Sequence, residues 1–294
     1  MILSPPHSFA STLCARLGRH PQLYGLPDVN LFVADTVEGW YTTLNQHMAR
    51  PQSTHGLLRV LAQLHEETQS EQSVNRAWDW LSARKTWTTR SLWAYLAKLV
   101  YPRVLVDKSP LTSRSEENLQ RAREMIPQAQ FIHLTRHPIP TSLSVDQLRS
   151  KMQRFSAGSD EPSSLRENSL LFWLRSHKLI VNFVASLPEG QSLRVNSEQL
   201  MQDPDCYLVQ LLEWLGLETS ELAVAAMNHP EYSAYACLGP VNAQYGDERD
   251  FLIAPSVVPV FESPPAIDES TDFQALPERS RPEILRLSHR LGYR

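Results

Sequence analysis

The residues best suited to chemistry fall in two short stretches. In Phe131–Ser144, FIHLTRHPIPTSLS, an apolar run ends at Thr135-Arg136, and Ser144 follows after His137-Pro138, about two helical turns further on. A guanidinium at the carboxyl end of a buried strand stands where α/β folds bind ligands. Its planar fork suits a phosphate, and a hydroxyl at Ser144 can reach the same anion. In Pro6–Leu13, PHSFASTL, the chain passes from a turn into a helical pattern. Backbone N–H groups and the positive end of a helix make such a loop an anion site. Ser8, Ser11 and Thr12 add hydroxyls around Phe9 and Ala10. Taken alone, this stretch reads better as an ordinary helix N-cap, because it has no glycine and only His7 as a cation. A third candidate is His229, in Met227–Ser233 with Glu231 close by. Histidine titrates near neutrality and is a common general base, although a lone histidine among ten is by default structural or on the surface.

The elements that position these residues alternate between strand and helix. Ile2-Leu3 precedes the turn Ser4-Pro5-Pro6 and a helical pattern with Leu13 and Leu17. Val104-Leu105-Val106, Phe131–Leu134 and Leu193–Val195 are short and apolar, as buried parallel strands are. Ser113-x-x-Glu116 reads as a capping box for a helix ending near Met125, and Ser164-x-x-Glu167 as the opening of a longer one. Asp203-Pro204 starts another helix, which Gly216 closes. Alternation of this kind predicts a parallel sheet with helices on both faces. Residues 35–100 are helical in pattern and contain Trp40, Trp78, Trp80, Trp87 and Trp93, which are expected to pack. This stretch is a helical insertion after the first βα unit. Residues 150–163 and 238–265 read as loops, the second rich in Gly and Pro.

Composition narrows the function classes. The chain has 294 residues, net charge −4 and no long run of one sign, which argues against nucleic acid as a partner. Cys14, Cys206 and Cys237 are widely spaced and odd in number; they predict neither a disulfide framework nor a metal cluster, and are expected to be small buried residues in a reducing, cytoplasmic setting. No stretch has the roughly 20 apolar residues of a membrane span. The start, directly on a core strand, would suit either a domain of a longer polypeptide or a short natural terminus.

Several segments together resemble the PAPS-dependent sulfotransferases. Arg136-His-Pro-x-x-x-x-x-Ser144 keeps the Arg, Pro and Ser of the family's R-D-P-x-D-V-x-x-S segment, which holds a 3′-phosphate. Pro6–Pro21 matches the length of its PRSGTSLLARLLGAHP loop and helix, with His7 in place of a basic residue and Phe9 in place of glycine. Asp107-Lys108-Ser109-Pro110 matches D-K-S/T-P, Asn196–Leu200 keeps the Glu and Leu of R-Y-E-D-L, and the final Leu291-Gly292-Tyr293 is also similar. The segments occur in the family's order. Phe9 predicts a backbone there with angles open to a non-glycine residue.

The resemblance implies a P-loop-type three-layer α/β domain over residues 1–294. It implies PAPS as donor, PAP as product, and no metal. Residues 7–12, Arg136, Ser144, Tyr245 and Gly246 would bind the donor, with His7 and Lys108 supplying charge. Asp28 aligns with an acidic residue that follows the donor loop in several sulfotransferases, and competes with His229 as general base. The run around His229 and Gly239-Pro240-Val241-Asn242-Ala243-Gln244-Tyr245-Gly246-Asp247 is similar to the sulfotransferase domains of olefin-forming polyketide synthases. The acceptor would then be the β-hydroxyl of an acyl chain on an acyl carrier protein. Sulfonation would make it a leaving group, and a neighbouring thioesterase domain would release the chain for decarboxylation to a terminal alkene. The insertion would form an acceptor-side wall, and residues 238–265 a binding loop. A sulfotransferase for a sugar, lipid or tyrosine, and a non-catalytic PAP-binding scaffold, are the alternatives. A P-loop kinase would need the Gly-Lys-Ser/Thr that Pro6–Leu13 lacks.

Overall fold

The computed structural model describes residues 1–46, 51–155, 168–257 and 266–293. Strand β1 (Ile2–Leu3) leads through a loop into α1 (Ala10–Gly18) and β2 (Leu23–Gly25). Helices α2 (Val37–Gln46), α3 (His55–Glu66), α4 (Glu71–Ser82) and α5 (Thr89–Val100) follow. Then come β3 (Val104–Val106), α6 (Glu116–Met125), β4 (Phe131–Thr135), α7 (Pro138–Phe155) and α8 (Ser169–Ala185). β5 (Ser192–Asn196), α9 (Ser197–Gln202), α10 (Pro204–Leu215), α11 (Glu221–Met227), α12 (Arg249–Ile253), α13 (Thr271–Gln274) and α14 (Arg281–Leu291) complete the described elements.

All strand pairs are parallel. β4 lies between β1 and β5, with Ile2 opposite Ile132 and Thr135 opposite Asn196. β2 pairs with β3, Leu23 opposite Val104. The Ile2 N–H donates to Asp107 O at 2.8 Å, which sets β1 beside the end of β3 and joins the two ladders in the order β2-β3-β1-β4-β5. Side chains alternate across this sheet as strand geometry requires. Ile2, Ile132, Leu134 and Val195 pack with Leu13 and Leu17 of α1 and with α9–α11. Leu3 and Phe131 pack on the other face against Leu119 of α6 and Ile180 and Phe183 of α8. These three layers are the expected P-loop-type α/β arrangement.

The topology places the carboxyl ends of all five strands along one edge. The loop after β1 carries His7, that after β2 Asp28, that after β3 Lys108, that after β4 Arg136, and β5 runs into Glu198. The helical insertion lies between β2 and β3 and has its own core. Trp40 is fully buried there, and its Nε1 donates to Val29 O at 3.0 Å. Trp78, Trp80, Trp87 and Trp93 pack against that core, Trp80 stacked on Tyr95 at 4.8 Å.

Several local expectations change. β2 carried no strand signal, since three residues ending in glycine make a poor pattern; it sits tightly under α1, where a Cβ on Gly18 would come within 2.6 Å of Gly25 N. The cap of α6 is Ser115, whose Oγ accepts from Asn118 N, whereas Ser113 lies in a 3₁₀ turn and donates to Ser4 O. Ser164 and Glu167 lie outside the described residues, and Asn168 caps α8. Residues 150–155, expected in a loop, continue α7. Asp203 and Gly216 do cap α10, Gly216 with φ +70°. Cys14 is buried, as expected, but Cys206 and Cys237 are exposed.

Candidate functional site

The loop between β1 and α1 is held in a conformation its residues do not favour. His7 has φ +61° and Phe9 φ +63°, the left-handed region that costs an L-residue about 1–2 kcal/mol. The expectation of ordinary angles at Phe9 is therefore wrong; the position given to glycine keeps a glycine-like backbone. The neighbours that impose it are specific. His7 N donates to Glu248 Oε1 at 2.7 Å, and His7 O accepts from Arg136 Nη1 at 2.5 Å. The Arg136 guanidinium lies 4.4 Å from the centre of the Phe9 ring, a favourable cation–π distance. Phe9 is also the N-cap of α1 and offers no side-chain cap. The first-turn amides of α1, starting at Ala10, are thus left for another acceptor. Ser8 is fully buried, and its Oγ has no partner.

Arg136 and Ser144 meet as their spacing predicts. Arg136 Nη1 donates to Ser144 Oγ at 3.3 Å as well as to the loop carbonyl. Trp173 Nε1 donates to Arg136 O at 3.0 Å and fixes the backbone. Burial pulls the Arg136 pKa below its usual value, opposed by Glu198, Glu248 and Tyr293; a guanidinium stays charged under such a shift. Its Nε is buried without a partner. The segments Asn196–Leu200 and Leu291–Tyr293 converge on the same place. Glu198 Oε1 accepts from His137 N at 2.7 Å, and Tyr293 Oη lies 2.9 Å from Thr135 Oγ1 and 3.2 Å from Glu198 Oε2.

Lys108 reaches the loop from the next strand. Its Nζ donates to Ser11 Oγ at 3.3 Å, Asp28 Oδ1 at 2.6 Å and Asp247 Oδ1 at 2.5 Å. All three ammonium protons are committed. Burial opposes the charge on Lys108, but Asp247 and Asp28 outweigh it and hold the pKa above the lysine range. Burial, with Asp247 beside it, raises Asp28 to about 7 against the pull of Lys108. The expected extra cation for the loop is therefore present, but two carboxylates share it.

Tyr245 and Gly246 anchor the segment that delivers those acids. Tyr245 N donates to His55 Nδ1 at 3.2 Å, and its ring stacks on His55. Gly246 has φ +114° and accepts from Asp28 N at 2.6 Å; a Cβ there would lie 2.7 Å from Gly56 Cα. The next two residues, Asp247 and Glu248, touch Lys108 and His7. Sequence reasoning missed both as site residues. Asp247 at least closes the Gly239–Asp247 run; Glu248 carried no signal, because its contact spans 241 positions.

His229 is placed apart from these contacts. Its Nδ1 pairs with Glu231 Oε1 at 2.9 Å, its ring stacks on Tyr232, and its side chain is 55% exposed. It lines a cavity of about 230 Å³ with Arg16, Asn228, Val257 and Thr12 of α1. Arg16 Nη1 is held by Asn228 Oδ1 at 2.7 Å. Among the described residues, no group of three or more His, Cys, Asp or Glu is placed to hold a metal, and no helix is long and apolar enough to cross a membrane.

A parallel sheet flanked by two helical layers, with a left-handed loop after β1 and a half-buried arginine after β4, defines a P-loop-type α/β domain, a class whose ligands lie along the strand ends. Residues 1–221 match the model of the sulfotransferase family, and the chain belongs to that family. Two solved structures are similar over the whole chain. The sulfotransferase domain from the Synechococcus PCC 7002 olefin synthase has a TM-score of 0.72 at 24% identity, covering 100% of this chain and 94% of that one. The sulfotransferase domain from the curacin biosynthetic pathway has a TM-score of 0.71 at 20% identity, covering 100% and 96%. No curated protein matches the chain.

Proposed function

We propose that this sulfotransferase takes its sulfuryl group from PAPS and passes it to the β-hydroxyl of an acyl chain on an acyl carrier protein. The observation that carries the donor half is the meeting of Arg136 Nη1 with both Ser144 Oγ and the carbonyl of the strained loop. The chemistry of this place fits a multiply charged anion: first-turn amides without a cap from Phe9, a partnerless buried hydroxyl at Ser8 and a partnerless Arg136 Nε. In this reading Arg136 and Ser144 hold the 3′-phosphate, and residues 7–12 hold the phosphosulfate.

Asp28 is the general base in this reading. It lies beside the Lys108 that touches Ser11, and its pKa of about 7 suits a group that must accept a proton near neutrality. The acceptor oxygen forms a bond to sulfur as the sulfur–oxygen bond to PAP breaks, and the hydroxyl proton goes to Asp28. Lys108 stays paired with Asp247 and keeps its charge close to the developing negative charge. Helices α2–α5 form the acceptor-side wall. A thioesterase domain would release the sulfonated chain, whose decarboxylation with loss of sulfate gives a terminal alkene. The similarity to the olefin synthase and curacin domains supports this acceptor.

A non-catalytic PAP-binding role is the second reading, supported by the two carboxylates that share the loop's lysine. One experiment separates the two. The protein is incubated with ³⁵S-labelled PAPS and a β-hydroxyacyl carrier protein, and label on the acyl chain is followed with PAP release. Label on the chain supports transfer to this acceptor. PAP binding without transfer to that or any other hydroxyl acceptor supports the second reading.

A further inference from the structure

The geometry points to Glu248 as an internal anion that occupies part of the donor loop and sets donor affinity by having to leave it. This deepens the reading of residues 7–12 as the donor loop and rests on it. Glu248 Oε1 accepts from the His7 amide at 2.7 Å. Its charge also acts on Arg136 and on Asp28, so it lies near both the cation assigned to the 3′-phosphate and the proposed base. The charged groups around it are thus Arg136 at the end of β4, Asp28 after β2, and Asp247 with Lys108 after β3.

A carboxylate there does for the loop what a ligand oxygen would do. It satisfies an amide of a loop in a left-handed conformation and adds negative charge where the first turn of α1 and Arg136 gather positive potential. It does not satisfy everything. The fully buried Ser8 Oγ and the Arg136 Nε keep no partner, as expected of a site shaped for an anion with more oxygens than one carboxylate has. The His7 amide has one proton to give, so Glu248 and a donor oxygen compete for it. Two such anions a few ångströms apart also repel strongly in a partly buried site.

The competition can be resolved at the side chain. Asp247 Oδ1 accepts from Glu248 N at 2.9 Å while holding Lys108. Gly246 is tied to Asp28 N, and Tyr245 to His55. The backbone is thus fastened on the near side of Glu248, and rotation of its side chain frees the amide. Donor affinity is then the affinity of the open loop reduced by the fraction of molecules in which the carboxylate has left.

The test is calorimetric titration of the full chain with PAP, for wild type, Glu248→Gln and Glu248→Ala, at low ionic strength and again with added salt. Gln keeps a carbonyl oxygen for the His7 amide and removes only the charge. The expected result is about tenfold tighter binding by the variant, with the gap shrinking as salt is added. Glu248→Ala, which also removes the acceptor, should tighten binding in the same direction. Equal or weaker binding by both variants, while wild type binds PAP, overturns the role of Glu248 and leaves the donor site intact. Absence of PAP binding in all three proteins, each melting cooperatively, overturns the donor reading and this inference with it.

Discussion

Two regions beside α1 offer a titratable group, and they are built in opposite ways. At Ser11, one buried ammonium is shared by two acids, Asp28 and Asp247. At Thr12, His229 pairs with Glu231 on the rim of a cavity and is more than half exposed. An exposed pair contributes little, about 0–1 kcal/mol, and water can replace either partner. A buried cluster is costly to desolvate and shifts the pKa values of its members. It persists only where all its partners are in place. In the proposed function, proton transfer falls to the buried region and His229 has a peripheral role along the cavity.

The largest expected effect breaks the buried cluster outright. Lys108→Met leaves two carboxylates facing each other without a cation, and should cost about 3–5 kcal/mol of stability. Chemical denaturation should show it as a lower midpoint, whereas His229→Gln should leave the midpoint nearly unchanged. Equal effects would mean that the Lys108 cluster is no more buried in function than the His229 pair.

Next in size is donor binding. Arg136→Ala removes a charge-assisted contact, worth about 1.5–3 kcal/mol, and PAP affinity measured by calorimetry should fall roughly ten- to hundredfold. Unchanged affinity would place the 3′-phosphate elsewhere.

The pH profile sharpens the contrast further. A base must be ionised to accept a proton, so with Asp28 near 7 turnover should fall as the pH drops below about 7. Asp247 raises the Asp28 pKa; Asp247→Asn should therefore move the acidic limb to lower pH. A limb that stays in place in this variant, but disappears in His229→Gln, would assign the titration to the histidine.

The smallest effects concern loop strain. His7→Gly relieves about 1–2 kcal/mol of left-handed strain but loses about 0.5–1 to glycine's greater freedom when unfolded. A net gain of about 0–1.5 kcal/mol is expected in denaturant titrations. Phe9→Gly also loses the contact with Arg136, worth about 0.5–1 kcal/mol, and should come out near zero.

What could be read in the sequence was what depends on near neighbours. The Arg136–Ser144 pair lies on one strand–helix passage, so its spacing already placed both groups together. Asp203 and Gly216 cap α10 through local backbone chemistry. The apolar runs at β3 and β4 announced the sheet. Three features were illegible because distant partners decide them. Phe9 takes a left-handed φ because the Arg136 and Glu248 contacts hold the loop, against its own preference. Lys108 was visible as a cation, but its neutralisation by Asp247 depends on a residue 139 positions away. β2 is held by pairing with β3 and by close contact with α1, neither of which leaves a pattern in three residues.

The contrast between the two regions reduces to one measurement: single-turnover transfer of ³⁵S from PAPS to a β-hydroxyacyl carrier protein by wild type, Asp28→Asn and His229→Gln, with PAP binding measured alongside. The account predicts that Asp28→Asn still binds PAP but transfers label about 10²–10⁴-fold more slowly, while His229→Gln retains most of the rate. A slow His229→Gln beside a near-normal Asp28→Asn would contradict it.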